Sequence, residues 1–181
     1  MKKFEEKTLT TEVIFNGKII DLQVDEVLLP NGKTSTRELV KHPGAVAIIA
    51  LTDENELLLV EQYRKPLEQS ILEIPAGKIE IGEAPAVTAK RELEEETGYT
   101  CKDLTYITQF YTSPGFADEL IYIYFTDTLI KLEEEVLGDD DEFVELHKIN
   151  NKIADEKIEK QAIYDAKTIY AIQYLKLNKR F

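Results

Sequence analysis

Hydrophobic and polar positions alternate early in the chain. Ile20, Leu22 and Val24 are separated by polar neighbours, and Val27 to Leu29 continue the run, which predicts a half-buried strand. Asn31-Gly32 is a hairpin turn signal, since both residue types tolerate positive φ, and Thr36 to Val40 reads as the return strand. His42-Pro43-Gly44 then interrupts the pattern. The boundary falls there, with 1–42 as an N-terminal β segment and 43–181 as the main domain. From residue 45 the pattern changes. AVAIIAL, residues 45–51, is continuously apolar, as a central strand buried on both faces requires. Asp53-Glu54-Asn55 turns the chain and 56–63 returns it. A loop with Pro66 leads to Ile71–Ile74 and on to Pro75-Ala76-Gly77. Residues 84–97 are helical in composition, with Pro85 in the first turn and Gly98 just past the end. Further strands are expected over 104–111, 120–127 and 143–147. In the tail, Ala162, Ala166, Ile169 and Ile172 predict one long amphipathic helix over 155–177. The acidic runs 133–135 and 139–142 fall between strands and are read as loops.

Strands, a helix, strands and a helix in that order give an α/β chain of the α+β type. The expected architecture is a mixed sheet between helices, preceded by a small antiparallel β region. With 181 residues the chain suits one compact domain plus an appendage. The N-terminal segment is too small to bury a core alone.

Charge narrows the possible partners. Lys and Arg total 22 against 35 Asp and Glu, a net charge of −13. Such a surface repels nucleic acid. It also repels any phosphate-bearing small molecule unless a cation intervenes. Cys101 is the only cysteine, so no intrachain disulfide forms, and His42 and His147 cannot complete a Cys/His zinc site with one thiol. Both histidines are read as surface or strand-edge residues. The charged start does not resemble a signal peptide, and no stretch approaches the ~20 apolar residues of a membrane span. A reducing cytoplasm is the expected compartment.

The candidate chemistry lies in the first helix. Glu92 and Glu96 are one turn apart on one face, with Glu95 beside them. Like charges at this spacing cost a bare helix roughly 0.2–0.5 kcal/mol per pair, and the C-terminal half of a helix disfavours anions further. Three carboxylates there are either solvated or offset by cations. Mg²⁺ or Mn²⁺ suits the second case, since hard cations take carboxylate oxygens and leave room for water and phosphate. An isolated ELEEE would read as a solvated face. Its surroundings decide otherwise.

Residues 77–99 read GKIEIGEAPAVTAKRELEEETGY. Gly77, Glu83, Arg91-Glu92, Leu93, Glu95-Glu96, Gly98 and Tyr99 stand at the spacing of the Nudix box, and the segment resembles that box at every specified position. Tyr99 is the least typical, because an aliphatic residue is commoner there. The resemblance implies a Nudix fold and hydrolysis of a diphosphate. It implies Glu92 and Glu96 as metal ligands with the carbonyl of Ala76, and Glu95 as a catalytic carboxylate beside them. Glu83, Arg91, Gly77 and Gly98 become structural supports, with Arg91 tethering the glutamates and Gly77 allowing a sharp backbone turn.

Further matches resemble the ADP-ribose pyrophosphatase branch. Glu61-Gln62-Tyr63-Arg64 resembles its Glu-Gln-aromatic-Arg motif, Glu73-Ile74-Pro75-Ala76-Gly77 resembles its lead into the box, and Ser113-Pro114-Gly115 with Glu119 resembles a segment near the metals. The likeness implies substrate contacts from Arg37, Arg64, Pro114 and Gly115, and a catalytic role for Glu119. An acidic loop in this branch carries the base, here among Asp139, Asp141 and Glu142. The loop is aspartate-rich where the family often has glutamate. The implied reaction is Mg²⁺-dependent hydrolysis of ADP-ribose to AMP and ribose 5-phosphate by a homodimer whose N-terminal sheets meet. A nucleotide-sugar diphosphatase acting on ADP-glucose or GDP-mannose is the nearest alternative, and a non-catalytic ADP-ribose sensor a more distant one.

Overall fold

The computed structural model describes residues 3–134, 136, 138 and 143–181. The chain is of the α+β class and divides into two compact units, 1–44 with 110–121 and 45–109 with 122–181.

In the first unit, strands β1 (Lys7–Asn16), β2 (Asp21–Leu28) and β3 (Thr34–Lys41) form an antiparallel sheet in the order β1-β2-β3. The β2–β3 turn is wider than the two residues Asn31-Gly32 suggest. It spans 29–33, closed by Leu29 N–H donating to Lys33 O at 2.8 Å and Gly32 N–H donating to Leu29 O at 2.9 Å. Pro30 lacks an N–H, and the Asn31 side chain accepts from Lys33 N–H at 3.0 Å, so the chain turns through an Asx motif. Gly32 takes φ 81°, where a side chain would be strained. Buried Asp25 on β2 accepts hydrogen bonds from Thr11, Gln23 and Thr8, and the Thr11 hydroxyl is the largest influence holding its carboxyl below the usual range.

The second unit is built on two completely different burial patterns. Strand β4 (Ala45–Ala50) is buried at every position, and β5 (Leu57–Arg64) is buried over its first four residues and half-exposed after them. Next come β6 (Gln69–Glu73), β7 (Ala76–Lys78), helix α1 (Pro85–Thr97), β8 (Tyr99–Cys101), β9 (Thr105–Tyr111), β10 (Leu120–Thr126), β11 (Leu129–Lys131) and β12 (Val144–Ile149). The strands make one sheet in the order β7-β4-β10-β9, a second in the order β12-β5-β6, and a β11-β8 ribbon. Helix α1 packs on β4, β7 and β8. Its Ala89 and Leu93 join Val46, Ile48 and Leu58 in a fully buried cluster. Each large aliphatic side chain there contributes roughly 1.5–3 kcal/mol by burial.

The tail corrects the expectation of one helix over 155–177. It forms α2 (Asn151–Glu159) and α3 (Ala166–Leu177). Gln161 adopts φ 56°, and the N–H groups of Ala162 and Ile163 turn back to Lys157 O. Two caps fix the starts: Asn150 accepts from Ile153 N–H at 3.1 Å and Asp165 from Thr168 N–H at 3.0 Å. The corner buries Ile163 completely. The stripe also differs, for Ala166 is exposed while Ala171, Ile172 and Leu175 reach the core. Among the described residues, no helix is long and apolar enough to cross a membrane.

Candidate active site

Pro85 opens α1, and Gly98 closes it in the left-handed conformation at φ 66°. Between them, 3.6-residue periodicity turns Ala89 and Leu93 to the core and brings Glu92 and Glu96 to a neighbouring stripe. Both glutamates are only 6% exposed. Carboxylates buried this deeply must be met by donors or cations. Glu96 Oε2 accepts from Ala76 N–H at 2.9 Å. Glu92 Oε1 lies 2.8 Å from Arg91 Nη1. The same guanidinium reaches Glu95 at 2.7 Å and Glu83 at 3.2 Å, and Thr88 Oγ1 donates to Glu83 at 2.8 Å. Burial works against the Arg91 charge, but Glu83, Glu92 and Glu95 outweigh it and raise its pKa well above the ordinary value. Arg91 and then Thr88 hold Glu83 below the usual carboxylate range.

Gly77 serves a purpose other than the sharp turn expected from its sequence position. It lies within strand β7, outside the positive-φ glycines. A Cβ there would fall 2.0–2.4 Å from the three carboxyl atoms of Glu92. The glycine is a notch in β7 that receives the carboxylate.

The C-terminal end of α1 lacks a basic residue of its own. Lys131 on β11 supplies one, its Nζ lying 3.5 Å from Thr97 O and 4.6 Å from the Tyr99 ring centre. On this side a cavity of about 450 Å³ is lined by Glu95, Glu96, Gly98, Lys131, Val144 and Leu146.

Three carboxylates, Glu83, Glu92 and Glu95, share the Arg91 guanidinium, which leaves excess negative charge within that group. Among the described residues, no three His, Cys, Asp or Glu side chains close on one point as a ready-made metal cage. An open set of buried carboxylates is what Mg²⁺ uses when water and phosphate complete its shell. The notch at Gly77 and the anchored carboxylate of Glu96 therefore fit a divalent cation, with Glu92 and Glu96 as the side chains that would hold it.

Arg64, at the end of β5, donates to Glu73 from Nε at 2.6 Å and from Nη2 at 2.9 Å. Glu73 is also paired with Lys167 at the start of α3. Burial alone would push the Glu73 carboxyl up, but Arg64 and Lys167 outweigh it and hold it below the usual range. Sequence reading did not single out Lys167, Lys131 or Thr88. A lysine two residues after the capping Asp165 carries no signal that its amine turns inward.

The first unit holds the other expected residues. Arg37 grips Glu6 through Nε at 2.8 Å and Nη2 at 2.6 Å. Pro114 and Gly115 form a turn closed by Phe116 and Ala117 N–H groups donating to Ser113 O. Glu119 accepts from Thr112 Oγ1 at 2.5 Å and lies 3.7 Å from His42 Nε2. Asp139, Asp141 and Glu142 lie outside the described residues.

Residues 41–166 match the NUDIX domain family model, and residues 6–40 match a nucleoside diphosphate sugar hydrolase N-terminal domain. An ADP-ribose pyrophosphatase of Bacillus subtilis (strain 168) is 59% identical over 179 residues, covering 99% of this chain and 97% of the relative. A methanol dehydrogenase activator of Bacillus methanolicus is 57% identical over 178 residues, 98% of this chain and 96% of the relative. The crystal structure of an ADP compounds hydrolase superposes with a TM-score of 0.84 at 22% identity, covering all of both chains, which shows the shared fold. The box around α1, the fold and the family model agree, and the chain belongs to the Nudix hydrolase family.

Proposed function

We propose that the chain hydrolyses the diphosphate linkage of ADP-ribose to AMP and ribose 5-phosphate, with Mg²⁺ as the cation and Mn²⁺ as a substitute. The observation that carries the reading is the pair of buried carboxylates, Glu92 in its notch at Gly77 and Glu96 on the Ala76 N–H. Two buried carboxylates on one helix face are suited to a divalent cation, which offsets their mutual repulsion and leaves room for phosphate oxygens. The name of the Bacillus subtilis relative supports ADP-ribose as the substrate.

When bound, the divalent ion supplies charge neutralisation on the phosphates and a water of lowered pKa. The chain supplies the rest. Glu92, Glu96 and the carbonyl of Ala76 hold the ion, and Arg91 fixes the rotamers of Glu92 and Glu95. Arg64 and Arg37 carry forked donors suited to phosphate or to stacking on adenine. Pro114 and Gly115 shape the substrate-facing turn. Glu95 and Glu119 are catalytic carboxylates, and the proton of the attacking water goes to one of Asp139, Asp141 or Glu142. The chain works as a homodimer in the cytoplasm, and residues 1–42 form its dimerisation segment. The edge strand β1, exposed along its whole length and carrying Leu9, Val13, Ile14 and Phe15, supports that assembly.

A second reading, hydrolysis of nucleotide sugars such as ADP-glucose or GDP-mannose, is favoured by the match of residues 6–40 to a nucleoside diphosphate sugar hydrolase segment. One experiment separates the two. Purified protein is given ADP-ribose with and without Mg²⁺, beside a Glu96→Gln variant and a nucleotide-sugar panel, and AMP is measured. Metal-dependent AMP release, lost in Glu96→Gln and faster than turnover of the sugars, is expected. Turnover of the sugars alone would replace the substrate, and binding of ADP-ribose without turnover of any diphosphate would make the chain a sensor.

A further inference from the structure

Away from the acidic helix, the second unit buries another charged group. The Glu73 side chain is 4% exposed and that of Lys167 10%. Lys167 Nζ also lies 3.1 Å from Asp165, which caps α3 by accepting from Thr168 N–H and Oγ1. Thr168 Oγ1 in turn accepts from Ile74 N–H at 2.9 Å, so the start of α3 is fastened to the strand that carries Glu73. Arg64 grips both oxygens of the same carboxylate, and its side chain is 37% exposed.

One cation suffices to neutralise a buried carboxylate. Glu73 meets two, one of which, Lys167, it shares with Asp165, and they differ in kind. Lys167 is a compact point charge held inside, whereas Arg64 is a planar fork at the surface whose two-point grip fixes its plane. We infer that Lys167 is a positioning residue for substrate binding. It meets the Glu73 carboxylate from within, so Glu73 orients the Arg64 guanidinium while Arg64 shares the counter-charge instead of supplying it alone. Removing the Lys167 charge leaves Arg64 as the main counter-ion of Glu73 and draws it inward. The inference rests on the proposed role of Arg64 at the diphosphate.

The test is steady-state hydrolysis of ADP-ribose by the full chain, with thermal melts alongside. Lys167→Met is expected to raise KM by about tenfold, the size of one weakened charge-assisted contact. Because Lys167 touches no reacting atom, kcat is expected to stay within about twofold and the Mg²⁺ concentration for half-activation to stay unchanged. Lys167→Arg is expected to restore KM. On an Arg64→Ala background Lys167→Met should add little, since both act through one guanidinium, whereas a purely structural role would add its full effect. If Lys167→Met does not fold, Lys167→Gln, which keeps a neutral donor to Glu73, is expected to raise KM in the same way. A folded Lys167→Met or Lys167→Gln with wild-type KM, or full additivity of Lys167→Met with Arg64→Ala, overturns the inference. An unchanged KM in Arg64→Ala alone would instead overturn the role of Arg64 on which it rests.

Discussion

The carboxylate of Glu92 occupies the space that a side chain at Gly77 would fill, with the ideal Cβ position 2.0 Å from the carboxyl carbon. Gly77→Ala must therefore displace the Glu92 carboxyl, the far end of a flexible side chain, from its place in the notch. Displacements near 1 Å can cost about 10²-fold in rate, so kcat is expected to fall by roughly that factor. Because the displaced atoms end a flexible side chain, the loss of stability should fall below the ~1–3 kcal/mol of an overpacked rigid core. Activity and melting temperature measured together check this, and an alanine variant with near-normal kcat would mean that the notch has no catalytic purpose.

Arg91 is tested by Arg91→Lys. The guanidinium spans Glu83, Glu92 and Glu95 at 3.2, 2.8 and 2.7 Å, and a single ammonium cannot reach all three with aligned bonds. Residues that orient ligands typically cost about 10- to 100-fold in activity or metal affinity when changed, and a loss of that order is expected. The metal titration of activity should move to higher Mg²⁺. A lysine variant with an unmoved titration would show that the glutamates hold their positions without the fork.

Acid should destabilise the fold through Glu73 and Glu83. The folded pKa of each lies below its ordinary value of 4.5. The unfolded chain therefore takes up protons first as pH falls. The stabilisation is complete above about pH 4.5 and is lost as pH drops through the lowered folded values. Urea midpoints measured across this range should fall steeply for the wild type. Glu73→Gln and Glu83→Gln, though less stable at neutral pH, should each show a shallower fall. Parallel pH profiles for variant and wild type would count against the assignment.

What the sequence disclosed followed the range of the interactions. The acidic stripe on α1 is local, since residues one helical turn apart must share a face, and Glu92 with Glu96 could be read from spacing alone. Burial of β4 was equally plain from its continuous apolar run. Strand β1 was harder to see. Register shifts between Thr8 and Thr10 and between Val13 and Phe15 break the period-two alternation that marks a strand. The corner at Gln161 was hidden because glutamine gives no warning of a left-handed conformation. Lys167 finds Glu73 across 94 positions, and no local pattern encodes a contact of that separation. Gly77 was singled out for flexibility, yet its purpose is to make room for a side chain that only the fold brings to it.

All ten residues of β1 are exposed, and β1 is an outer strand of its sheet. Val13, Ile14 and Phe15 are 62%, 51% and 56% exposed in the single chain. Three consecutive apolar side chains thus stand open to solvent on an outer strand. An uncovered apolar edge invites pairing with another chain, and proteins that stay monomeric blunt such edges with charge. The wild-type chain is therefore expected to run as a dimer in light scattering after size exclusion. Val13→Glu should shift it to the monomer while altering the folding of a single chain by no more than about 0.5 kcal/mol, as is usual for an exposed position. A monomeric wild type at micromolar concentration, or a dimer undisturbed by the charge, would remove β1 from the interface. If the dissociated variant also loses affinity for ADP-ribose while retaining its melting temperature, the partner chain completes the substrate site. If affinity is retained, one chain binds the substrate without help from a partner.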